Sequence, residues 1–212
     1  MVGVPLIAIL TDPSTAVVCV TILSAIYSTG AAAHQRSLVD WRALRVVSAS
    51  ALVGMPTGLI LARSVPAALL GVSIGLVVIG CALTVGRSAR QFGRRGSVAA
   101  GIASGTLLTS TGMNGPPIVL AMKGPYADAD RFRATLQAVF VIQDLCAIVG
   151  FVIVGSVTTH RLSIVAWAAP AVLIGWWVGL RVIPFIDDRR FDRIVVRLLI
   201  ITGLVAIGSA LR

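Results

Sequence analysis

The sequence predicts an all-α fold: a polytopic integral membrane helical bundle of two inverted repeats with a re-entrant broken helix. Three observations carry that expectation. Of the 212 residues, 57% are hydrophobic and only 12% are charged, about half the roughly 25% charged share of ordinary soluble domains. A soluble chain of this length has too much surface to cover with so few charges. The apolar residues also fall in runs long enough to cross a hydrocarbon core of ~30 Å, without the period-two alternation of a barrel strand. Finally, pieces of the first half recur in the second. Residues 75–83 (GLVVIGCAL) match 203–211 (GLVAIGSAL) at seven of nine positions. Gly3-Val4-Pro5-Leu6-Ile7 matches Gly115-Pro116-Pro117-Ile118-Val119 in type, and Gly54-x-x-x-Gly58 matches Gly175-x-x-x-Gly179. Repeats of this kind point to two structural halves around a central site.

The elements follow in order. A short apolar piece, 1–10, precedes spans at 14–33, 46–62, 66–86, 98–122, 134–155, 163–182 and 194–211. The N-terminus lacks a basic region and a cleavage site, so no signal peptide is expected. The first span carries Thr21, Ser24 and Ser28 on one stripe, with Tyr27 beside them. This stripe is a pathway-lining candidate, and helix packing is its plainer role. The second span holds Gly54 and Gly58, the fourth Gly101 and Gly105, and the sixth Gly175 and Gly179. These pairs are expected to let helices approach closely. Cys19, Cys81 and Cys146 lie inside apolar runs at no metal or redox spacing.

The segment 98–122 contains Gly112-Met113-Asn114-Gly115-Pro116-Pro117. Two prolines remove two backbone donors and disfavour helix before them, so the helix must break here. Twenty-five residues are too few for two full spans and suit a helix that enters, breaks and returns.

Basic residues give the orientation. The net charge is +10, but the basic residues sit in short loops between apolar runs and no nucleic-acid-binding motif is present. Loops 34–45 and 87–97 are two spans apart and share a side, taken as cytoplasmic. A single crossing at 98–122 divides the basic residues evenly between the sides. A returning segment leaves only Arg63, Arg161 and Arg212 opposite the rest. The positive-inside rule prefers the second arrangement, which inverts the second half. The expected division is 1–86 as a first membrane repeat, 87–97 as a basic cytoplasmic loop and 98–212 as a second repeat.

The break is the leading site candidate. Freed backbone groups in a bilayer must be satisfied by protein, water or ligand, and a half-helix N-terminus favours an anion. Ser110, Thr111, Gly112, Asn114, Gly115 and Pro116 are therefore candidate substrate-binding residues; a purely structural kink is the alternative. In the span 134–155, Gln137 and Asp144 lie seven residues apart on one face, and Arg133 shares their stripe. Gln137 and Arg133 join the substrate-binding candidates, Arg133 as an attractor at the cavity mouth or a plain interfacial anchor. An ionised Asp within the bilayer costs at least roughly 2.5 to 3.5 kcal/mol without a partner. Asp144 is the candidate proton-coupling residue; a structural acid paired to an Arg, or one near the membrane interface, is the competing reading. Gln143 points about 100° away from Asp144 and is expected to make an interhelical hydrogen bond.

The run Thr111-Gly112-Met113-Asn114-Gly115-Pro116-Pro117-Ile118-Val119-Leu120, followed by Phe132-Arg133-Ala134-Thr135, resembles the second-half signature of the TauE/SafE sulfite exporter family. Val4-Pro5-Leu6-Ile7, Val39-Asp40-Trp41-Arg42 and glycines 54 and 58 resemble its first half. The family's first half opens with a full helix and a Gly-rich turn before the Val-Pro, so the first arm is expected to be truncated, or else the start is misassigned. Asn114 stands where the family usually has Gly, adding a side-chain amide at the turn.

The resemblance implies a secondary transporter of small anions: sulfite, sulfonates or related organic acids. It implies a multi-pass protein of the bacterial plasma (inner) membrane. The partners expected are a small anionic substrate and the lipid bilayer, with no nucleic acid and with a homodimer as an open assembly. No Ser/His/Asp set, metal-ligand cluster, paired carboxylates or nucleotide-binding loop is present, so no enzyme activity, cofactor or metal is expected. The alternative function is a non-transporting membrane scaffold or truncated relic of such a transporter.

Overall fold

The computed structural model describes residues 13–66, 93–123 and 129–182. The apolar piece 1–10 with its Val4-Pro5, span 66–86 beyond its first residue, span 194–211 and the 75–83/203–211 repeat pair lie outside the described residues. The described helices are α1 (Pro13–His34), α2 (Trp41–Ser64), α3 (Arg94–Thr111), α4 (Gly115–Lys123), α5 (Ala129–Ile153) and α6 (Thr159–Val182), with one 3-10 turn at Arg36–Leu38. Among the described residues, four helices are long and apolar enough to cross a membrane: α1, α2, α5 and α6.

A polar cap, not the edge of its apolar run, sets the start of α2. The α2 helix starts five residues before its expected apolar run at 46 because Asp40 caps it. The Asp40 Oδ1 accepts the Arg42 and Ala43 backbone N–H groups at 3.0 and 3.1 Å, satisfying donors that a helix start leaves orphaned. The α5 helix likewise begins at Ala129 instead of 134, because the polar turn holding Asp130, Arg131 and Arg133 is helical.

Contacts between helices fix their directions. Gly101 faces Val47 and Ser50, Gly105 faces Ala51, Gly54 faces Ile102 and Thr106, and Gly58 faces Thr106 and Thr109. Residue numbers rise together, so α2 and α3 run parallel. The α5 helix runs parallel to them. Asp40 N–H donates to Thr135 Oγ1 at 2.9 Å near its start, and Arg63 Nη2 donates to Val154 O at 3.4 Å just beyond its end. The α1 helix runs the opposite way, with Ser24 beside Asp144 and Tyr27 beside Gln137. The α6 helix follows α1: Arg161 reaches Thr15, and the Trp176 ring stands edge-on to Tyr27, centroids 6.2 Å apart.

Because α3 and α5 are parallel, the chain between them must come back, and α4 makes that return. From Ser104 to Thr111 the chain climbs about 10 Å, yet the Ser104 hydroxyl lies 2.9 Å from the Asn114 carbonyl. By Asn114 the chain is back at the level of Ser104. Nine residues of α4 span only ~14 Å. Its Ile118 and Met122 pack in one apolar cluster with Val39, Leu44 and Val47 at the beginning of α2. The broken segment therefore enters and returns to the side where α2 and α3 begin. Every described Arg or Lys other than Arg63 and Arg161 is placed on that same side by its helix, as an orientation code requires.

A second apolar cluster joins Val17 and Val18 of α1, Met55 of α2, Leu108 of α3 and Ala147 and Phe151 of α5. Trp167 and Ile174 of α6 are instead exposed, at 87% and 63%, as lipid-facing residues are.

Candidate functional site

The break is built by three local devices. Gly112 takes a left-handed conformation (φ 71°), and its N–H closes on the Leu108 carbonyl at 2.8 Å. This is the αL stop that favours glycine. The α4 helix then opens on Gly115, Pro116 and Pro117, all buried. Proline's fixed φ suits a first turn, but the two rings carry no N–H. This half-helix start consequently offers fewer backbone donors than an ordinary one. The Asn114 amide stands at the place of that deficit.

Asn114 belongs to a buried polar cluster joining α3, the break and α5. Its Nδ2 donates to Gln143 Oε1 at 3.2 Å. Ser104 Oγ, 2.9 Å from the Asn114 carbonyl, is also 3.0 Å from Gln143 Oε1. Ser104 and Gln143 are fully buried, and Asn114 is 9% exposed. The Gln143 amide nitrogen has no hydrogen-bond partner. A buried N–H without an acceptor costs about 1 to 3 kcal/mol, so the site presents an unmet donor at its centre. All three residues lie near mid-length of the bundle: Gln143 midway along α5, and Ser104 on the α3 turn that faces the middle of α2.

Asp144, the next residue on α5, faces a different neighbour. Its Oδ2 accepts from Ser24 Oγ of α1 at 2.6 Å, while its Oδ1 is buried without a partner. Among the described residues no cation pairs with it. Toward the start of α5, Gln137 Nε2 donates to the Tyr27 hydroxyl at 3.3 Å. Gln137 Oε1 and the fully buried Ser28 hydroxyl are also unpartnered.

The other candidates are placed apart from these groups. Ser110 and Thr111 turn their hydroxyls back onto α3, 2.7 Å from the Thr106 and Leu107 carbonyls respectively. Thr21 does the same to Val17 at 2.8 Å. In this conformation those hydroxyl protons are already engaged. Arg133 pairs with Asp130 at 3.4 Å, partly exposed at the start of α5. It stands one turn outside Gln137, toward the start of α5 and away from the buried cluster. The glycine pairs divide as well. Added methyl groups at Gly54, Gly58, Gly101 and Gly105 would run into a facing helix, whereas Gly175 and Gly179 meet no described neighbour. The expected close approach at 175/179 is thus not made among the described residues.

Ser104 and Gln143 were not among the expected site residues. Gln143 carried a signal, a long amide inside an apolar run, facing away from Asp144. Ser104, between Gly101 and Gly105, is indistinguishable by sequence from a packing residue. Among the described residues no three His, Cys, Asp or Glu side chains converge on a metal position.

The family model described as "Sulfite exporter TauE/SafE" matches residues 1–206. No curated protein and no solved structure matches the chain.

Proposed function

The chain belongs to the sulfite exporter TauE/SafE family, a family of membrane transporters, and from that premise we propose that it carries a small anion, sulfite, a sulfonate or a related organic acid, by alternating access around the broken helix. The observation that carries this reading is the unpartnered Gln143 amide beside Asn114, next to the half-helix start of α4. Two neutral amides and a positive helix end suit an anion without binding it irreversibly.

Asp144 supplies the coupling in this reading. It adjoins Gln143 in sequence and is fully buried. An ionised carboxylate on the residue next to Gln143 would repel an anion bound there. Protonation removes that repulsion, so anion and proton travel together. The basic side, where α2, α3 and α5 begin, is the cytoplasmic side of a bacterial inner membrane by the positive-inside rule.

Thermal unfolding of the detergent-solubilised protein with a panel of small anions tests the binding claim. Sulfite or a sulfonate is expected to raise Tm, and Asn114→Ala to abolish the shift. A chain that no small anion stabilises would be a scaffold without this site.

A further inference from the structure

We infer that the seam between α1 and α5 holds a short file of buried water, which carries the coupling proton between Asp144 and the basic side of the membrane. This rests on the reading of Asp144 as the coupling residue and adds the route that serves it.

The seam is marked by what its atoms lack. Asp144 Oδ1, Ser28 Oγ and Gln137 Oε1 are all buried and all without a hydrogen-bond partner. Such groups in native interiors are met by ordered water, each molecule making about three hydrogen bonds. The two bonds that bridge the seam, Ser24 to Asp144 and Gln137 to Tyr27, place these atoms along one interface. Ser28 stands one turn beyond Ser24 on α1. Gln137 stands two turns from Asp144 on α5, ~10 Å along the axis. That spacing is too long for one ion to touch both ends and suits waters linking three stations. Beyond Gln137, one turn further toward the basic side, lies the half-exposed Arg133–Asp130 pair, where the file would meet bulk solvent.

The chemistry of the stations differs. The Ser28 hydroxyl can accept and donate, so it relays a proton in the file. The Gln137 carbonyl only accepts and holds a water in place. Asp144 is the terminus: its carboxylate takes a proton from the adjoining water, which is replenished by the next. On release the proton retraces the file or leaves on the opposite side after the bundle rearranges. Among the described residues few other groups compete for the proton. Tyr27 is the titratable side chain that α1 brings to the seam. Among the described helices, α2, α3 and α6 carry their charged residues only near their ends, and Cys146 of α5 lies two positions beyond Asp144.

Proteoliposomes loaded with a pH-sensitive dye test the file, using sulfite as the probe anion. A doubly substituted Ser28→Ala/Gln137→Leu protein is expected to lose proton movement far more than sulfite-for-sulfite exchange, because exchange moves no net proton. Its sulfite-coupled proton uptake is expected to fall at least tenfold. Coupled uptake at the wild-type rate would overturn the file and leave the coupling role of Asp144 standing. Sulfite flux without proton movement in the wild type would overturn the coupling itself, and the file with it. If the double variant loses exchange too, Ser28→Cys in a background without the native cysteines decides. Ag+ added from the basic side is expected to block that variant, and full resistance to Ag+ means a dry seam and no file.

Discussion

Ser24 of α1 and Asp144 of α5, 120 residues apart in sequence, meet through a 2.6 Å hydrogen bond to one carboxylate oxygen, while the other oxygen is buried without a donor. That second oxygen is the one the proposed water file would reach.

Asp144→Asn follows directly. The amide oxygen keeps the Ser24 bond, so the protein is expected to fold with a Tm near that of the wild type. Proton-driven sulfite uptake is expected to fall at least tenfold, because the side chain no longer takes up and releases a proton. Initial uptake under an imposed pH gradient, in proteoliposomes of matched protein content, measures it.

Gln143→Ala tests the amide cluster. It removes the acceptor of the Asn114 amide and leaves that donor buried, while Ser104 keeps the Asn114 carbonyl as its acceptor. The expected cost is about 1 to 3 kcal/mol of stability, read as a lower thermal midpoint. Affinity for the stabilising anion is expected to drop roughly tenfold, equivalent to about 1.4 kcal/mol, in a titration of the same protein.

The glycine contrast tests the packing of α2 on α3. A methyl group at Gly54 would collide with the Ile102 carbonyl, and one at Gly105 with the Ala51 carbonyl. Neither backbone can yield without separating the helices. Gly54→Ala and Gly105→Ala are each expected to lower Tm sharply. Gly175→Ala, which meets no described neighbour, is expected to leave it within a degree or two. Purified variants compared by thermal unfolding decide the order.

The returning α4 helix predicts a labelling pattern. In a background without native cysteines, Arg95→Cys and Asp130→Cys are expected to react with a membrane-impermeant thiol reagent from the same side. His160→Cys is expected to react from the other. Opposite accessibility of positions 95 and 130 would mean that the broken segment crosses.

Much of this was legible in the sequence, for identifiable reasons. Pro116-Pro117 between two glycines forces a break in any environment, so the broken helix was readable without a fold. Arginine placement recorded the return of the chain, because translocation reads it locally. Asp144 stood out because an acid in an apolar run is costly wherever it faces. The partners were not legible. Whether Gln143 meets Ser104 depends on how α3 and α5 are set against one another, and no local pattern encodes that register. The hydroxyls of Thr21, Ser110 and Thr111 looked equivalent to those of Ser24 and Ser28. Bonding to the preceding turn, an option open to every helical Ser and Thr, separates the first three from the last two.

The central claim is that a proton and a small anion move together through the site at the broken helix. Its most direct test is sulfite uptake into proteoliposomes with and without an inwardly directed proton gradient, comparing wild type with Asn114→Ala. The account predicts gradient-stimulated uptake by the wild type, accompanied by proton entry, and loss of that uptake in the variant. Uptake indifferent to the gradient, or an Asn114→Ala protein that transports at the wild-type rate, would contradict it.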